Sequence, residues 1–248
     1  MTSMPEPTKV DIINALGRRH GWTTYLEFCN ANSGWKYGLI DRSIFSTTNR
    51  LMYMYYQGYD DGYPVEFHSD SFDITTCIQQ VNRQRLRYDL IFLDPWHEYV
   101  TSYRDWGLAF DWLKPGGALV VHDCRPDKSV STAPWYELGE WSGVTFEAYI
   151  DFVRARRSDL SYCTIDTDMG VGIIRRSTDS PTIRIAAPPV VRLKHLSATE
   201  DPVEQAWRES AGDHVRRLAL FNQHARQLLR LRSYDEFVAE LASGSSDR

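Results

Sequence analysis

The chain has 248 residues, 42% hydrophobic and 25% charged, which suits one α/β domain, or a domain with an appendage, rather than a disordered chain. Its net charge of −5 argues against nucleic acid as a partner, because phosphate binding needs a basic surface. No apolar run approaches the ~20 residues that span a bilayer, and the N-terminal "MTSMPEPTKV" lacks a basic-then-apolar signal pattern. Cys29, Cys77, Cys124 and Cys163 form no C-x-x-C pair, so zinc and dithiol chemistry are not expected, and the expectation is a cytoplasmic protein with reduced thiols.

In chain order, "TKVDIINALGRRHGW" puts Val10, Ile13 and Leu16 on one helix face, with Gly17 and Gly21 available to stop the helix. "TTYLEFCN" reads as a strand, "SIFSTTNRLMYMYY" as strand or helix, and Val65–Phe67 as strand-like. "DITTCIQQVNRQRL" is an amphipathic helix, and Tyr88–Leu93 is a strand. A helix follows from about Glu98 to Leu113, with Val100, Tyr103, Gly107, Phe110 and Leu113 on its apolar stripe and "KPGG" at its end. Ala118–Val121 is the next strand. "TFEAYIDFVRARR" is a helix with Phe146, Tyr149, Ile150 and Val153 inward, and "LSYCTIDTDMGVGIIRR" is a hairpin.

Strands alternating with helices predict a Rossmann-like, doubly wound, mostly parallel sheet with an antiparallel terminal hairpin. The expected organisation is residues 1–176 as this domain, 177–200 as a linker rich in Ser, Thr and Pro, and 201–248 as a helical extension. In the extension Asp201-Pro202 opens a helix. Its stripe is Ala211, Val215, Leu218, Asn222, Ala225 and Leu229. Ser233 and Glu236 form a capping box for a last helix. The arginines of this region are read as a solvated face, and the apolar stripe as packing on the main domain or pairing in a homo-oligomer.

Two runs that read as fully buried strands both end on charge: Leu90–Leu93 on Asp94, and Ala118–Val121 on His122 and Asp123. Burying charge is costly, and ligands of doubly wound sheets bind beyond the carboxyl ends of the strands. Glu27 and Asn30 belong to the same rim, and "FHSDS" adds His68, Asp70 and Ser71. Four strand ends thus deliver polar groups to one edge.

The stretch "YDLIFLDPWHEYVTSYRDWGLAFDWLKPGGALVVHDCRP", Tyr88 to Pro126, resembles class I S-adenosylmethionine-dependent methyltransferases, among them small-molecule and sugar O-methyltransferases of secondary metabolism. The resemblance spans roughly residues 10–176. It implies an enzyme that transfers the methyl of S-adenosylmethionine to a hydroxyl of a small-molecule acceptor. It implies cofactor contacts from Glu27, Asn30, Ser33 and Gly34 after the first strand, from Asn49 of "FSTTNRLMY", from Ser69, Asp70 and Ser71 of the adenine loop, and from Asp94. The chain departs from the family's first motif: Cys29 and Ala31 stand about where its earlier glycines would be. It also departs at the ribose-binding acid, near which stand Asn49 and Arg50.

For the chemistry, His97 is the general-base candidate, with Asp94 beside it; helix-start packing is the plain alternative for His97. Asp94, His122 and Asp123 are candidate ligands for Mg²⁺, against mere loop-capping roles. Trp96, Trp135, Tyr136 and Trp141 are candidate walls of an acceptor pocket, against ordinary core packing. The rival to the enzyme is a non-catalytic binding or assembly protein with a degenerate cofactor motif.

Overall fold

The computed structural model describes residues 6–29, 34–54, 60–71, 73–94, 96–156, 158–179 and 201–243. Asn30, Ser33 and most of the 177–200 segment lie outside them.

Helix α1 (Lys9–His20) buries Val10, Ile13 and Leu16 as its spacing predicts and ends at Gly21 in the left-handed region (φ 65°). Gly17 does not stop the helix. It sits inside, where any Cβ would run into the Phe45 ring. Next come β1 (Thr24–Cys29), α2 (Gly34–Tyr37), β2 (Thr47–Met52), β3 (Phe67–His68), α3 (Thr75–Gln84), β4 (Tyr88–Asp94), α4 (Tyr99–Trp112) and β5 (Leu113–Val121). These are followed by α5 (Thr145–Ala155), β6 (Leu160–Ile165), β7 (Val171–Arg176), α6 (Pro202–Glu209), α7 (His214–Leu229), β8 (Leu231–Arg232) and α8 (Tyr234–Ser243).

The strands form one sheet in the order β3-β2-β1-β4-β5-β7-β6-β8. β1 to β5 are parallel, β7 runs antiparallel to β5 and β6, and β8 is parallel to β6. This is the expected mostly parallel sheet with an antiparallel hairpin. The strand order reverses between β1 and β4, where Cys29 lies beside Asp94 at the last register position. A crevice opens at such a reversal, beyond the carboxyl ends of the strands. One core cluster carries Leu26, Phe28, Ile91 and Trp106, and the other carries Tyr25, Leu90, Phe92 and Val120. Alternate residues of β1 and β4 thus face opposite layers, as both-face burial requires.

At the opposite edge of the sheet, Asp89 accepts from Thr23 N (3.0 Å), Thr24 N (3.0 Å) and Thr24 Oγ1 (2.8 Å), and pairs with Lys114 Nζ (3.0 Å). Gly117 passes so close that a Cβ would stand 2.7 Å from Asp89 O, so "KPGG" is part of β5 rather than only a helix stop.

Two expected apolar stripes are met in part. Along α4 the expected positions Tyr103, Gly107, Phe110 and Leu113 are buried and only Val100, 57% exposed, is not, while Asp105 and Trp106 join the buried face. Asp105 is tolerated there because Arg104 Nε (2.8 Å) and Tyr53 OH (3.1 Å) both donate to it. Val215 is 77% exposed, and α7 turns Arg217, Phe221, Leu228 and Leu229 inward. Arg217 is therefore not part of a solvated face: it pairs with Asp151 (2.8 Å) and Glu147 (3.2 Å) of α5. This is why α5 is buried from Thr145 to Arg154 on every side. The sheet and α4 cover part of it, with Tyr103 and Trp106 against Phe152, and α6 and α7 cover the rest. Breaking such a buried pair from one side costs about 3–5 kcal/mol.

Both extension caps form. Asp201 accepts from Val203 N and Glu204 N ahead of Pro202, and Ser233 and Glu236 bond reciprocally. The segment bends at Gly212 (φ 85°), splitting the first extension helix into α6 and α7. No helix among the described residues is long and apolar enough to cross a membrane.

Candidate active site

The rim is built from strand ends. β4 delivers Asp94 and β5 delivers His122 and Asp123, with His97 in the turn that leads to α4. Asp123 is buried and has a left-handed backbone (φ 57°), a strained conformation that persists where the surroundings impose it.

His97 Nδ1 lies 2.8 Å from the carbonyl of Trp141. A carbonyl only accepts, so Nδ1 carries a hydrogen and Nε2 is the variable atom. Nε2 lies 3.2 Å from Asp94 Oδ1 and 3.1 Å from Asp123 Oδ2. Burial alone would lower the pKa of His97, but its contacts with Asp94, Asp123 and the Trp141 carbonyl outweigh that and raise it above the ordinary histidine value. A proton on Nε2 bridges the two carboxylates.

His122 stands on the other side of the acids. Its Nδ1 is 3.0 Å from Asp123 Oδ1 and 3.6 Å from Asp94 Oδ2, while its Nε2 meets Asp168 Oδ1 (3.2 Å) and Lys9 Nζ (2.6 Å). Burial pushes Lys9 down to about 8 against the pull of Asp94 and Asp168. Burial opposes ionisation of Asp94, yet His122, His97 and Lys9 together hold its carboxyl well below the usual range. Lys36 Nζ adds a contact at 3.5 Å.

Lys9, Lys36 and Asp168 were not singled out from the sequence. Asp168 reaches the site from the β6–β7 turn, where Asp168, Met169 and Gly170 all take positive φ (45°, 63°, 80°). That turn docks under β5 through Cys124 N to Gly170 O (3.0 Å) and Arg125 N to Met169 O (2.8 Å). The hairpin was legible as "DTDMG", but nothing in it said that its acid would meet His122. The two lysines lie in helices that carry no local signal of a site.

Among the described residues, the group whose ligand atoms all lie within 4.8 Å of one another is Asp94, His97 and Asp123. His97 therefore stands where the sequence reading placed His122. Asp123 Oδ2 faces His97 while its Oδ1 faces His122 Nδ1. Two carboxylates and an imidazole suit a divalent cation.

Of the proposed pocket walls, Trp96, Tyr136 and Trp141 come together, each pair of ring centres 5.4 Å apart, with His97 also 5.4 Å from Trp141. Trp135 is 64% exposed and has no ring contact in that cluster. On the cofactor side, Glu27 is buried two residues inside the end of β1, beside Arg50 of β2. Arg50 is itself fully buried and binds Asp61 through both terminal nitrogens (2.9 and 2.8 Å). Asn49 is not brought to the rim. It lies in mid-strand and accepts from Tyr88 OH (3.0 Å) at the amino end of β4, because the strand alternation turns it there. Ser69 is buried and donates to Asp73 O (3.0 Å), while Asp70 and Ser71 are exposed beyond β3. Gly34 opens α2.

Residues 15–124 match the profile of a family described as "Methyltransferase domain". The matched segment runs from α1 through β1 and β4 to Cys124, and so contains Asp94, His97 and Asp123. The match covers less than half of the chain and takes in the parallel half of the sheet. The resemblance read from Tyr88 to Pro126 falls almost wholly within the matched segment.

A search of curated proteins gives no match. Among solved structures, the chain is similar to an O-methyltransferase from Bacillus cereus in complex with SAH, at 12% identity and TM-score 0.47, covering 71% of this chain and 84% of that one. It is also similar to the O-methyltransferase TomG from Streptomyces achromogenes, involved in tomaymycin synthesis and in complex with SAM, at 14% identity and TM-score 0.49, covering 71% and 82%. A third is the MycE methyltransferase of the mycinamycin biosynthetic pathway, in complex with Mg, SAH and mycinamycin VI, at 13% identity and TM-score 0.42, covering 66% and 48%.

Proposed function

We propose that the chain catalyses O-methyl transfer from S-adenosylmethionine to a hydroxyl of a small molecule, with a divalent cation, Mg²⁺ by its oxygen-rich surroundings, held by Asp94, His97 and Asp123. The observation that carries this reading is the convergence of those three side chains at the β1–β4 crevice of a methyltransferase domain. S-adenosylmethionine supplies an electrophilic methyl group, and a bound divalent cation lowers the pKa of a hydroxyl that it contacts.

The chain's own residues supply position. Trp141 O holds the Nδ1 hydrogen of His97 and leaves Nε2 to act. Nε2 can ligate a cation or take the acceptor's proton, one at a time. We assign it to the cation, because two carboxylate oxygens already converge on it. Asp94, at the strand-order reversal, lies between the two substrates' sites. Trp96, Tyr136 and Trp141 offer aromatic faces to the acceptor and exclude water from the transfer. Glu27, Gly34 and the Ser69–Ser71 loop are the cofactor contacts of this reading, with Asn30 and Ser33.

The same reading takes residues 1–176 as the catalytic domain and 201–248 as an extension docked on α5, in a cytoplasmic protein without nucleic-acid or membrane partners. A second copy of the chain would meet the face of α7 that carries Val215. The rival non-catalytic reading gives no reason for two carboxylates and an imidazole to share one crevice.

Calorimetry with S-adenosylhomocysteine, with and without Mg²⁺, tests the proposal. Micromolar binding is expected, with a heat signature that changes with Mg²⁺. No binding at millimolar ligand from folded protein would overturn it.

A further inference from the structure

Beside the catalytic rim lies a cavity of about 230 Å³, at the amino ends of α4 and α5 and under the α6–α7 turn. Its walls include Tyr99, Pro134, Val144 and Ala211, and its polar floor includes Glu147, Asp151 and Arg217. Helices that follow parallel strands begin at the carboxyl edge of the sheet, so the cavity shares an edge with Asp94 and His97. The link is close. Val144 N donates to His97 O at 2.9 Å, Tyr99 opens α4 just after His97, and the loop that carries Trp141 against His97 also carries Pro134.

The charges on the floor are already spent on one another. Asp151 accepts from Tyr99 OH (2.7 Å), Trp207 Nε1 (2.8 Å) and Arg217 Nη1 (2.8 Å). Glu147 accepts from Arg217 Nη1 (3.2 Å) and pairs with His214 Nδ1 (2.6 Å). One donor is left over: Nε of Arg217, a side chain only 3% exposed, is buried without a hydrogen-bond partner among the described residues. An unmet buried donor is costly.

With two carboxylates against one guanidinium an anionic group would be repelled, and a cationic one would bind only by drawing Glu147 or Asp151 away from Arg217, which disturbs a buried pair. An uncharged oxygen can accept from Nε and disturb nothing. The volume is below the ~300 Å³ at which whole-ligand pockets begin, so the cavity suits one end of a molecule whose other end lies at the rim.

We propose that this cavity receives the far end of the methyl acceptor, and that this end is uncharged, mainly apolar, and carries an oxygen that accepts from Arg217. The inference rests on the methyl-transfer reading above. It makes α7 of the extension a determinant of acceptor choice and excludes acceptors with a phosphate, carboxylate or ammonium at that end.

The test is fluorine NMR of the full chain with 4-fluorobenzyl alcohol, 4-fluorobenzylamine and 4-fluorobenzoate, which share a shape and differ in end charge, alongside a titration with S-adenosylhomocysteine. The alcohol is expected to bind at least tenfold more tightly than the other two. Arg217→Lys, which keeps the charge and removes Nε–H, is expected to weaken the alcohol at least fivefold. Ala211→Trp, at the half-buried wall, is expected to abolish its binding while affinity for S-adenosylhomocysteine stays within twofold; this second variant decides if Arg217→Lys does not fold. Equal binding of the amine or the benzoate, no binding of the alcohol, or an Ala211→Trp variant that still binds the alcohol would each overturn the inference. Failure of the alcohol with S-adenosylhomocysteine still bound removes this inference alone. Failure of S-adenosylhomocysteine with the alcohol still bound removes the methyl-transfer reading, and the acceptor role with it.

Discussion

His97 Nε2 and Asp123 Oδ2 lie 3.1 Å apart, although one residue follows β4 and the other follows β5. The distance suits a proton between them. When a cation occupies the site, that proton has to leave, because a metal-bound imidazole nitrogen carries none.

Asp123→Asn keeps the volume and removes one charged ligand. The expected outcome is at least a tenfold loss of Mn²⁺ affinity, read by calorimetry or by the spin signal of the free ion. Affinity for S-adenosylhomocysteine measured without metal should stay within a few-fold. Unchanged Mn²⁺ affinity would remove Asp123 from the ligand set.

The raised pKa of His97 sets a pH dependence. Below its folded pKa the metal-free site holds the Nε2 proton, and binding must expel it. Affinity for Mg²⁺ should therefore rise with pH up to that pKa, by about tenfold per unit for one proton, and then flatten. Calorimetry at pH 6 in two buffers of different ionisation enthalpy should show close to one proton released. In His97→Gln that release should vanish.

The same bridging proton makes a stability statement about the metal-free protein. A raised histidine pKa gives stabilisation that is fully present below the unfolded value near 6.5 and is lost as pH rises through the folded pKa. Thermal melts without metal should show a midpoint that falls over that window, and a weaker fall in His97→Gln.

Gly143 sits at positive φ (54°), where an added Cβ would overlap the His97 carbonyl oxygen. Gly143→Ala should displace His97 and cut metal affinity and methyl transfer at least tenfold, although residue 143 touches neither substrate nor cation in the proposed arrangement. Melting should show a stability loss of about 1–3 kcal/mol. Wild-type metal affinity in this variant would mean that His97 is not positioned through this contact.

Away from the site, burial would raise the pKa of Asp89, but the hydrogen bonds from Thr23, Lys114 and Thr24 prevail and lower it. A depressed carboxylate pKa gives stability that is present above the unfolded value near 3.9 and lost as pH falls through the folded one. Asp89→Ala leaves those amides without their acceptor and should cost about 1–3 kcal/mol at neutral pH, measured by urea denaturation. It should also flatten the wild-type loss of stability below pH 4.

Much of the fold was legible, because the periodicity of burial is written locally. The runs Leu90–Leu93 and Ala118–Val121 could only be strands covered on both faces, and their terminal acids could only stand at an edge. Legibility failed where a helix has a second neighbour. Val215 fits its helical stripe as well as Leu229 does, and only the docking of α7 decides which of the two stays outside. Arg217 looked like a surface charge for the same reason: its partners, Glu147 and Asp151, lie far away along the chain.

By itself the sequence determined the alternation of strands and helices, the edge on which the charged strand ends gather, and the methyltransferase resemblance that Tyr88–Pro126 carries. All of these follow from spacings within a few residues. Only the tertiary structure decided that His97 rather than His122 shares a ligand-sized space with Asp94 and Asp123, that Asp168 and Lys9 close the far side, and that Asn49 turns away from the rim. Those outcomes depend on strand register and on the carbonyl of Trp141 orienting one imidazole ring, and both are distances across the chain rather than along it.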